Sequence, residues 1–219
     1  MSVGWPRFDL YVITDAGLTP GRSHADIARA ALAGGADAVQ LRDKSATAQN
    51  LCLLVTEIQP IARKFGAVLL VNDRVDVALV AGADGAHVGQ EDLPAREARR
   101  LLPPPSVLGV SAGTVEEAKK AARAGADYIG VGPVFPTPTK PDAGEPIGVE
   151  GLARVARAVE VPVVAIGGIT LENVTAVIEA GASGAAVVSA VVSAQDMAQA
   201  ARALKGRIAE ARRAAGPRA

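Results

Sequence analysis

The sequence has one cysteine, two histidines and one tryptophan, and aromatic residues make up only 3% of it. A lone thiol, Cys52, excludes an intrachain disulfide and fits a reducing compartment. With no histidine or other base beside it in sequence, Cys52 reads as a core thiol and not as a nucleophile. An excess of one charge is also missing, because Lys plus Arg and Asp plus Glu each number 23. That balance removes the electrostatic reason to expect nucleic acid or a membrane surface as partner, so any anion site must come from local placement. No apolar run approaches the roughly 20 residues that span a bilayer. The amino-terminal residues show no basic segment followed by an apolar stretch, so no secretory signal is read and a soluble, cytoplasmic protein is expected. With aromatics so scarce, the core must come from Ala, Val, Leu and Ile, and hydrophobic residues make up 49% of the chain.

One phrase is repeated. It reads AGGADAVQLRDK from Ala33, AGADGAHVGQED from Ala81, AGADYIGVGP from Ala124 and AGASGAAVVSA from Ala180. Each copy is a small-residue helix end followed by a short apolar strand that stops at polar residues. Another strand pattern lies between successive copies, which makes each copy every second unit of a repeating βα fold. The expected strands are Leu10–Asp15, Ala38–Arg42, Val68–Asn72, Gly85–Val88, Leu108–Ser111, Tyr128–Val131, Val163–Ile166 and Ala185–Ser189. Near-continuous apolar runs suit a parallel sheet covered on both faces. Helical spacing follows over Ala25–Leu32, Ala48–Phe65, Glu116–Ala124, Gly151–Val159 and Glu172–Ala180, with Ser23, Asp92, Thr114 and Thr170 as candidate N-caps. The 219 residues suit one domain. Strict alternation predicts a single TIM (β/α)8 barrel over 1–219, with a polar carboxy-terminal tail from about Arg207. An open doubly wound sheet is the rival, but the first strand ends in ITDAGLTPGRS, which lacks the G-x-G-x-x-G order. Pro133–Gly148 holds five prolines and reads as a functional loop that closes over a ligand.

Barrel chemistry sits at the carboxyl ends of the strands. On the second strand Ala38, Gln40 and Arg42 share a face, and Lys44 follows at the rim. A Gln-x-Arg pair on an inward face is costly without a partner; a bound ligand supplies one, a salt-bridged rim another. The third strand ends in Asn72 and Asp73, and Asp92 follows the fourth. Neighbouring strands are ~4.8 Å apart, so the two carboxylates can approach one cation. Oxygen donors without a Cys or His cluster suit Mg²⁺ over zinc. The alternative is that each aspartate caps the helix that follows it. His87 and His24 stand in no metal-ligand spacing and are read as structural. Gly168 after the seventh strand and Val188-Ser189 at the end of the eighth occupy the places where barrels bind phosphate. Thr137, Thr139 and Lys140 in PTPTK add hydroxyls and an ammonium for a phosphate. The rim thus holds two anion sites, one of which combines cations with a metal, as a pyrophosphate site would.

The segments YVITD, QLRDK, VNDRVDVA, HVGQEDL, GVSAGT, GVGPVFPTPTK and AIGGIT occur in that order. Their set resembles the thiamine phosphate synthase family. The resemblance implies a transferase that joins 4-amino-2-methyl-5-hydroxymethylpyrimidine diphosphate to 4-methyl-5-hydroxyethylthiazole phosphate, or its carboxylated form, with release of pyrophosphate. Carried over by position, it implies that Gln40, Leu41, Arg42, Asp43, Lys44, Asn72, Ser111 and Lys140 bind the pyrimidine diphosphate. It gives Asp73 and Asp92 to Mg²⁺, and Thr137, Pro138, Thr139, Gly168, Val188 and Ser189 to the thiazole phosphate. Arg42, Lys44, Ser111 and Lys140 would act in catalysis. A thiazole tautomerase on a similar barrel is the runner-up; its resemblance carries a His after the sixth strand, where this chain has Gly132-Pro133. Other phosphate-handling barrels and a non-enzymatic phosphate-ligand sensor are further alternatives. The partners expected are small-molecule substrates, with no nucleic acid and no membrane, and a homo-oligomer is compatible with the sequence.

Overall fold

The computed structural model describes residues 8–139 and 144–215. Its strands are β1 (Leu10–Ile13), β2 (Ala38–Leu41), β3 (Val68–Asn72), β4 (Gly85–Val88), β5 (Val107–Ala112), β6 (Tyr128–Val131), β7 (Val163–Ile166) and β8 (Gly184–Val187). All pair in parallel with their sequence neighbours, and β8 returns to β1, so the sheet closes into a barrel. The helices are α1 (His24–Ala33), α2 (Ala48–Lys64), α3 (Val75–Ala81), α4 (Ala95–Leu101), α5 (Val115–Arg123), α6 (Gly148–Ala158), α7 (Val174–Glu179), α8 (Ser189–Val192) and α9 (Met197–Ala215). Among the described residues no helix is long and apolar enough to cross a membrane.

Alternation along each strand sorts the core into two layers. Outward residues such as Val39, Leu41, Leu69 and Val71 pack against the helices. Inward residues such as Tyr11, Ala38, Leu70, Tyr128 and Val164 fill the barrel with Phe8. Both tyrosines of this aromatic-poor chain are therefore inside the barrel.

The repeated phrase has two mechanical jobs. Its glycine stops a helix: Gly35, Gly82, Gly125 and Gly181 all have positive φ, between 73° and 107°. Its aspartate then clamps the feet of two strands. The Asp37 amide donates to the Leu10 carbonyl while its carboxylate accepts from the Leu10 amide, both at 2.9 Å. Asp84 makes the same reciprocal pair with Leu69, and Asp127 with Leu108. Each carboxylate also holds one long side chain: Lys205 on Asp37, Gln59 on Asp84 and Arg99 on Asp127. The fourth copy has Ser183, whose carbonyl accepts from Arg212.

Several boundaries differ from the sequence reading. β1 stops at Ile13 and β8 at Val187, because the chain turns to build the upper rim; Ser189 opens the short α8. Ser23 and Thr114 cap α1 and α5 through their side chains. Thr170 does not cap α7, which starts after Asn173; its hydroxyl accepts from the Glu172 amide. Arg207 begins no tail: α9 continues to Ala215 because Ile208 and Ala211 are buried and Arg212 is tied to Asp9 and Ser183.

The foot clamps predict a stability effect remote from the upper rim. Asp127→Ala leaves the Leu108 amide without its acceptor and the Arg99 guanidinium with the Ser106 carbonyl but no carboxylate, and should cost about 1–3 kcal/mol. A lower urea midpoint with an unchanged slope would show it, and Asp127→Asn, which keeps an acceptor oxygen, should lose less.

Candidate active site

The upper end of the barrel is organised from β1 and β2. Thr14, fully buried just past β1, accepts the Arg42 amide at 3.3 Å and is 2.7 Å from His24 Nδ1. The other nitrogen of His24 lies 3.5 Å from Asp43. Asp43 in turn accepts from the Ser45 amide, the Ser45 hydroxyl and the Ala46 amide, and these bonds, the Ser45 hydroxyl foremost, hold its carboxyl below the usual range. The loop that carries Arg42 and Lys44 is thus bolted to the barrel. The Arg42 guanidinium is half-buried and pairs with Asp15 at 3.4 Å. Asp43 serves as the bolt, and Leu41 points outward into the helix layer, so its side chain is not available to a ligand. Only the backbone of Leu41 fits the substrate-binding role expected of it.

The two metal-ligand candidates meet. Asp73 has a left-handed backbone, φ 62°, which an aspartate tolerates, and its amide donates to the His87 carbonyl at 2.8 Å. This turn brings its carboxyl into hydrogen-bonding contact with Asp92. Burial, then the bond to Asp92 and the charge of Asp92, push Asp73 up to about 6, while Lys44 and Arg42 pull it down. Arg42, Lys44, Asp73 and Asp92 therefore share one electrostatic neighbourhood. The capping alternative fails: the N-cap positions of α3 and α4 are Arg74 and Pro94, neither helix has a side-chain cap, and Asp92 turns back to accept the Gly89 amide at 2.7 Å. Two crowded carboxylates with cations beside them fit a hard divalent ion that completes its shell with water and phosphate oxygens. Among the described residues no group of three or more His, Cys, Asp or Glu is gathered to hold a metal, so the pair would supply two of the ligands and no more.

The floor of the site is a hydrogen-bonded chain that the sequence reading missed. Gln40, buried at the top of β2, donates from Nε2 to the Tyr11 hydroxyl at 2.6 Å. The Tyr11 and Tyr128 hydroxyls are 3.1 Å apart, Tyr128 is 2.8 Å from His87 Nδ1, and His87 Nε2 is 2.9 Å from the Ser111 hydroxyl. A Cβ on Gly109 would lie 2.1 Å from Tyr128 and 2.4 Å from His87, and one on Gly130 would lie 2.8 Å from His87. Two glycines on adjacent strands thus make the slot for the imidazole. The available signal was a histidine inside an otherwise apolar strand, followed by two strands that each contain a glycine.

Asn72 follows inward-facing Leu70 on β3 and lies opposite His87 in the register. On the far side of the rim, the strand-six loop is tied down at both ends. Val134 and Phe135 donate to the Ile166 and Gly167 carbonyls, and Ile147 and Gly148 to those of Pro133 and Val134. A Cβ on Gly168 would lie 2.5 Å from the Pro136 carbonyl, so the loop passes directly over this glycine. The Thr137 hydroxyl accepts from the Thr139 amide at 3.3 Å, and Pro138 between them is exposed. Val188 packs against the inner core and Ser189 starts α8 beside it. Lys140 lies outside the described residues.

Asp73 gives a pH prediction. Its folded-state value is raised from 3.8 to about 6, so between those values the folded protein holds a proton that the unfolded chain has released. Stability of the metal-free protein should therefore fall as pH rises across that window. Urea midpoints measured across it should show the loss, Asp92→Asn should shrink it, and Mg²⁺ should oppose it.

The chain matches the family model described as thiamine monophosphate synthase over residues 10–191. It is 55% identical over 206 residues to a thiamine-phosphate synthase of Methanoregula boonei, covering 94% of this chain and 95% of that protein. A thiamine-phosphate synthase of Moorella thermoacetica is 52% identical over 207 residues, covering 94% and 99%. Among solved structures, the thiamine phosphate pyrophosphorylase of Pyrococcus furiosus superposes with a TM-score of 0.86 at 41% identity, covering 94% of this chain and 97% of that one. With the barrel, the paired aspartates and the cation-bearing loop in place, the chain belongs to the thiamine monophosphate synthase family.

Proposed function

We propose that this chain condenses 4-amino-2-methyl-5-hydroxymethylpyrimidine diphosphate with 4-methyl-5-hydroxyethylthiazole phosphate to give thiamine phosphate and pyrophosphate. The observation that carries the reading is that Asp73 feels Asp92, Lys44 and Arg42 together at one side of the upper rim. Two cations and two carboxylates suit a diphosphate bound with a divalent ion. The family named above supplies the class of reaction, and its relatives carry the synthase name, which leaves the tautomerase reading without support.

In this mechanism the bond between the pyrimidine methylene and the diphosphate oxygen breaks first. Its electron pair leaves with pyrophosphate, and the aminopyrimidine stabilises the methylene cation. Arg42 and Lys44 neutralise the charge that grows on the departing group, and this preorganised electrostatic stabilisation is the main catalytic term. Asp73 and Asp92 would hold Mg²⁺, which when bound would add to the neutralisation of that charge. Gln40 orients the ring, and Asn72 and Ser111 border it from β3 and β5. The thiazole nitrogen then captures the cation, so no protein nucleophile is needed. Thr137, Thr139, the glycine turn at Gly168 and the start of α8 at Val188-Ser189 hold the thiazole phosphate. Holding both rings in one site contributes up to about 7–11 kcal/mol through proximity. Lys140 belongs to the same group of leaving-group cations by resemblance.

Purified protein, both substrates and Mg²⁺ should yield thiamine phosphate by mass together with pyrophosphate; neither product appearing would refute the proposal. Arg42→Ala and Lys44→Ala should each slow the single-turnover rate by about 100-fold or more. An unchanged rate would remove the residue from leaving-group stabilisation. Asp73→Ala should move the Mg²⁺ activation curve to higher concentration, and a curve that stays in place would refute its role as a ligand.

A further inference from the structure

Two groups that border the pyrimidine in the proposed function, Gln40 and Ser111, are joined through the barrel interior. The links are the Tyr11, Tyr128 and His87 contacts, none longer than 3.1 Å. Burial raises both phenols above their ordinary range, so each hydroxyl keeps its proton. A tyrosine hydroxyl has one hydrogen, and a neutral imidazole has one N–H. While His87 is neutral, a chain of such groups has two patterns in which every link carries one hydrogen.

In the first pattern Gln40 donates inward to Tyr11, Tyr11 donates to Tyr128, and Tyr128 donates to His87 Nδ1. His87 then donates from Nε2 to Ser111. Gln40 presents its carbonyl oxygen to the site, and Ser111 has its hydroxyl hydrogen free to point outward. In the second pattern every hydrogen is reversed. The Gln40 amide is turned over and presents its NH₂, and the Ser111 hydrogen is spent inward on His87. Every other heavy atom keeps its place, and the amide turn exchanges only its nitrogen and oxygen. The polarity at one wall of the site therefore fixes the polarity at the other.

We infer that Tyr11, Tyr128 and His87 are positioning residues that make this enzyme select an aminopyrimidine over an oxopyrimidine by coupling ring recognition at Gln40 to leaving-group contact at Ser111. The inference rests on the proposed function. The exocyclic amino group of the correct ring donates to the Gln40 carbonyl and sets the first pattern, which aims the Ser111 hydrogen at the departing diphosphate. A 4-oxo ring of the same shape accepts from the Gln40 NH₂ and sets the second pattern. It still binds, but its diphosphate leaves without the Ser111 donor. Discrimination from this source appears in kcat and not in KM, which a purely structural role for the three residues does not predict.

The decisive variant is Tyr128→Phe, which touches neither Gln40 nor Ser111 and leaves the ring stacking on Phe8 in place. kcat and KM are measured for the 4-amino and 4-oxo pyrimidine diphosphates with thiazole phosphate and Mg²⁺. The intrinsic difference in cation stability between the rings is common to all variants, so the change in the kcat ratio isolates the chain. The amino-to-oxo kcat ratio should fall about tenfold or more in Tyr128→Phe, mainly through faster turnover of the oxo ring, with the KM ratio nearly unchanged. A kcat ratio within about twofold of wild type would overturn the inference. Should Tyr128→Phe fail to fold, Tyr11→Phe breaks the same chain one link earlier; it also removes the partner of Gln40, so the kcat ratio alone is read, by the same two outcomes. Wild-type protein that is folded by thermal melt yet turns over neither ring would sink the proposed function, whereas wild-type turnover with an unchanged variant ratio would sink this inference alone.

Discussion

An eight-stranded barrel has an interior that side chains must fill, and how this chain fills it decides what can happen above. Its few aromatic residues are concentrated there. Phe8 stacks against Tyr11 and Tyr128 with ring centroids 5.8 and 5.5 Å away, which makes the lower interior apolar. The hydroxyls of the two tyrosines end in a polar layer that a plain Leu and Val filling could not supply, and His87 joins that layer. The cost is backbone space, met by glycine at 109 and 130. The active-site floor is therefore continuous with the core, and it is as rigid as the core.

The two ends of the barrel use the same residue type in opposite ways. At the foot, Asp37, Asp84 and Asp127 are each surrounded by donors, and they tie strands together. At the top, burial and then the neighbouring Asp92 raise the pKa of Asp73, a crowding that is unfavourable to the metal-free protein. Satisfied carboxylates stabilise the fold, while crowded carboxylates are poised for a cation. This division follows the general separation of stability and chemistry between the two faces of such barrels.

The sequence made the architecture legible because the fold repeats. Apolar runs covered on both faces, glycine stops and helical spacing recur often enough to count the strands and exclude an open sheet. The polar strand ends were legible because the side chain two residues after an inward one shares its face, as Gln40 does after Ala38 and Asn72 after Leu70. The interior chain was not legible, because its members lie on β1, β2, β4, β5 and β6 and meet only after the barrel closes. The Gly-Ala-Asp phrase was read as a marker of periodicity, yet its aspartate bonds backbone groups that no linear pattern displays. His24 was read as structural, but its contacts escaped for a similar reason. It links Thr14 to Asp43, in two different βα loops, and periodicity does not describe loops.

The loop bearing Arg42 and Lys44 shows why rigidity and charge have to be supplied together. A flexible cation can follow its anion in the ground state as readily as in the transition state, which tightens binding without speeding the reaction. Here the Arg42 amide is fixed to Thr14, its guanidinium to Asp15, and the next residue to Ser45 and Ala46. Charge held at a fixed place favours the state in which the leaving group's charge is greatest, because it need not be reorganised as that charge grows. Lys44 is exposed and has no such bolts of its own, so its placement depends on the Asp43 turn that precedes it. The buried His24 contact with Thr14 and Asp43, far from any proton transfer in the reaction, is thus part of how the cations above it hold their positions.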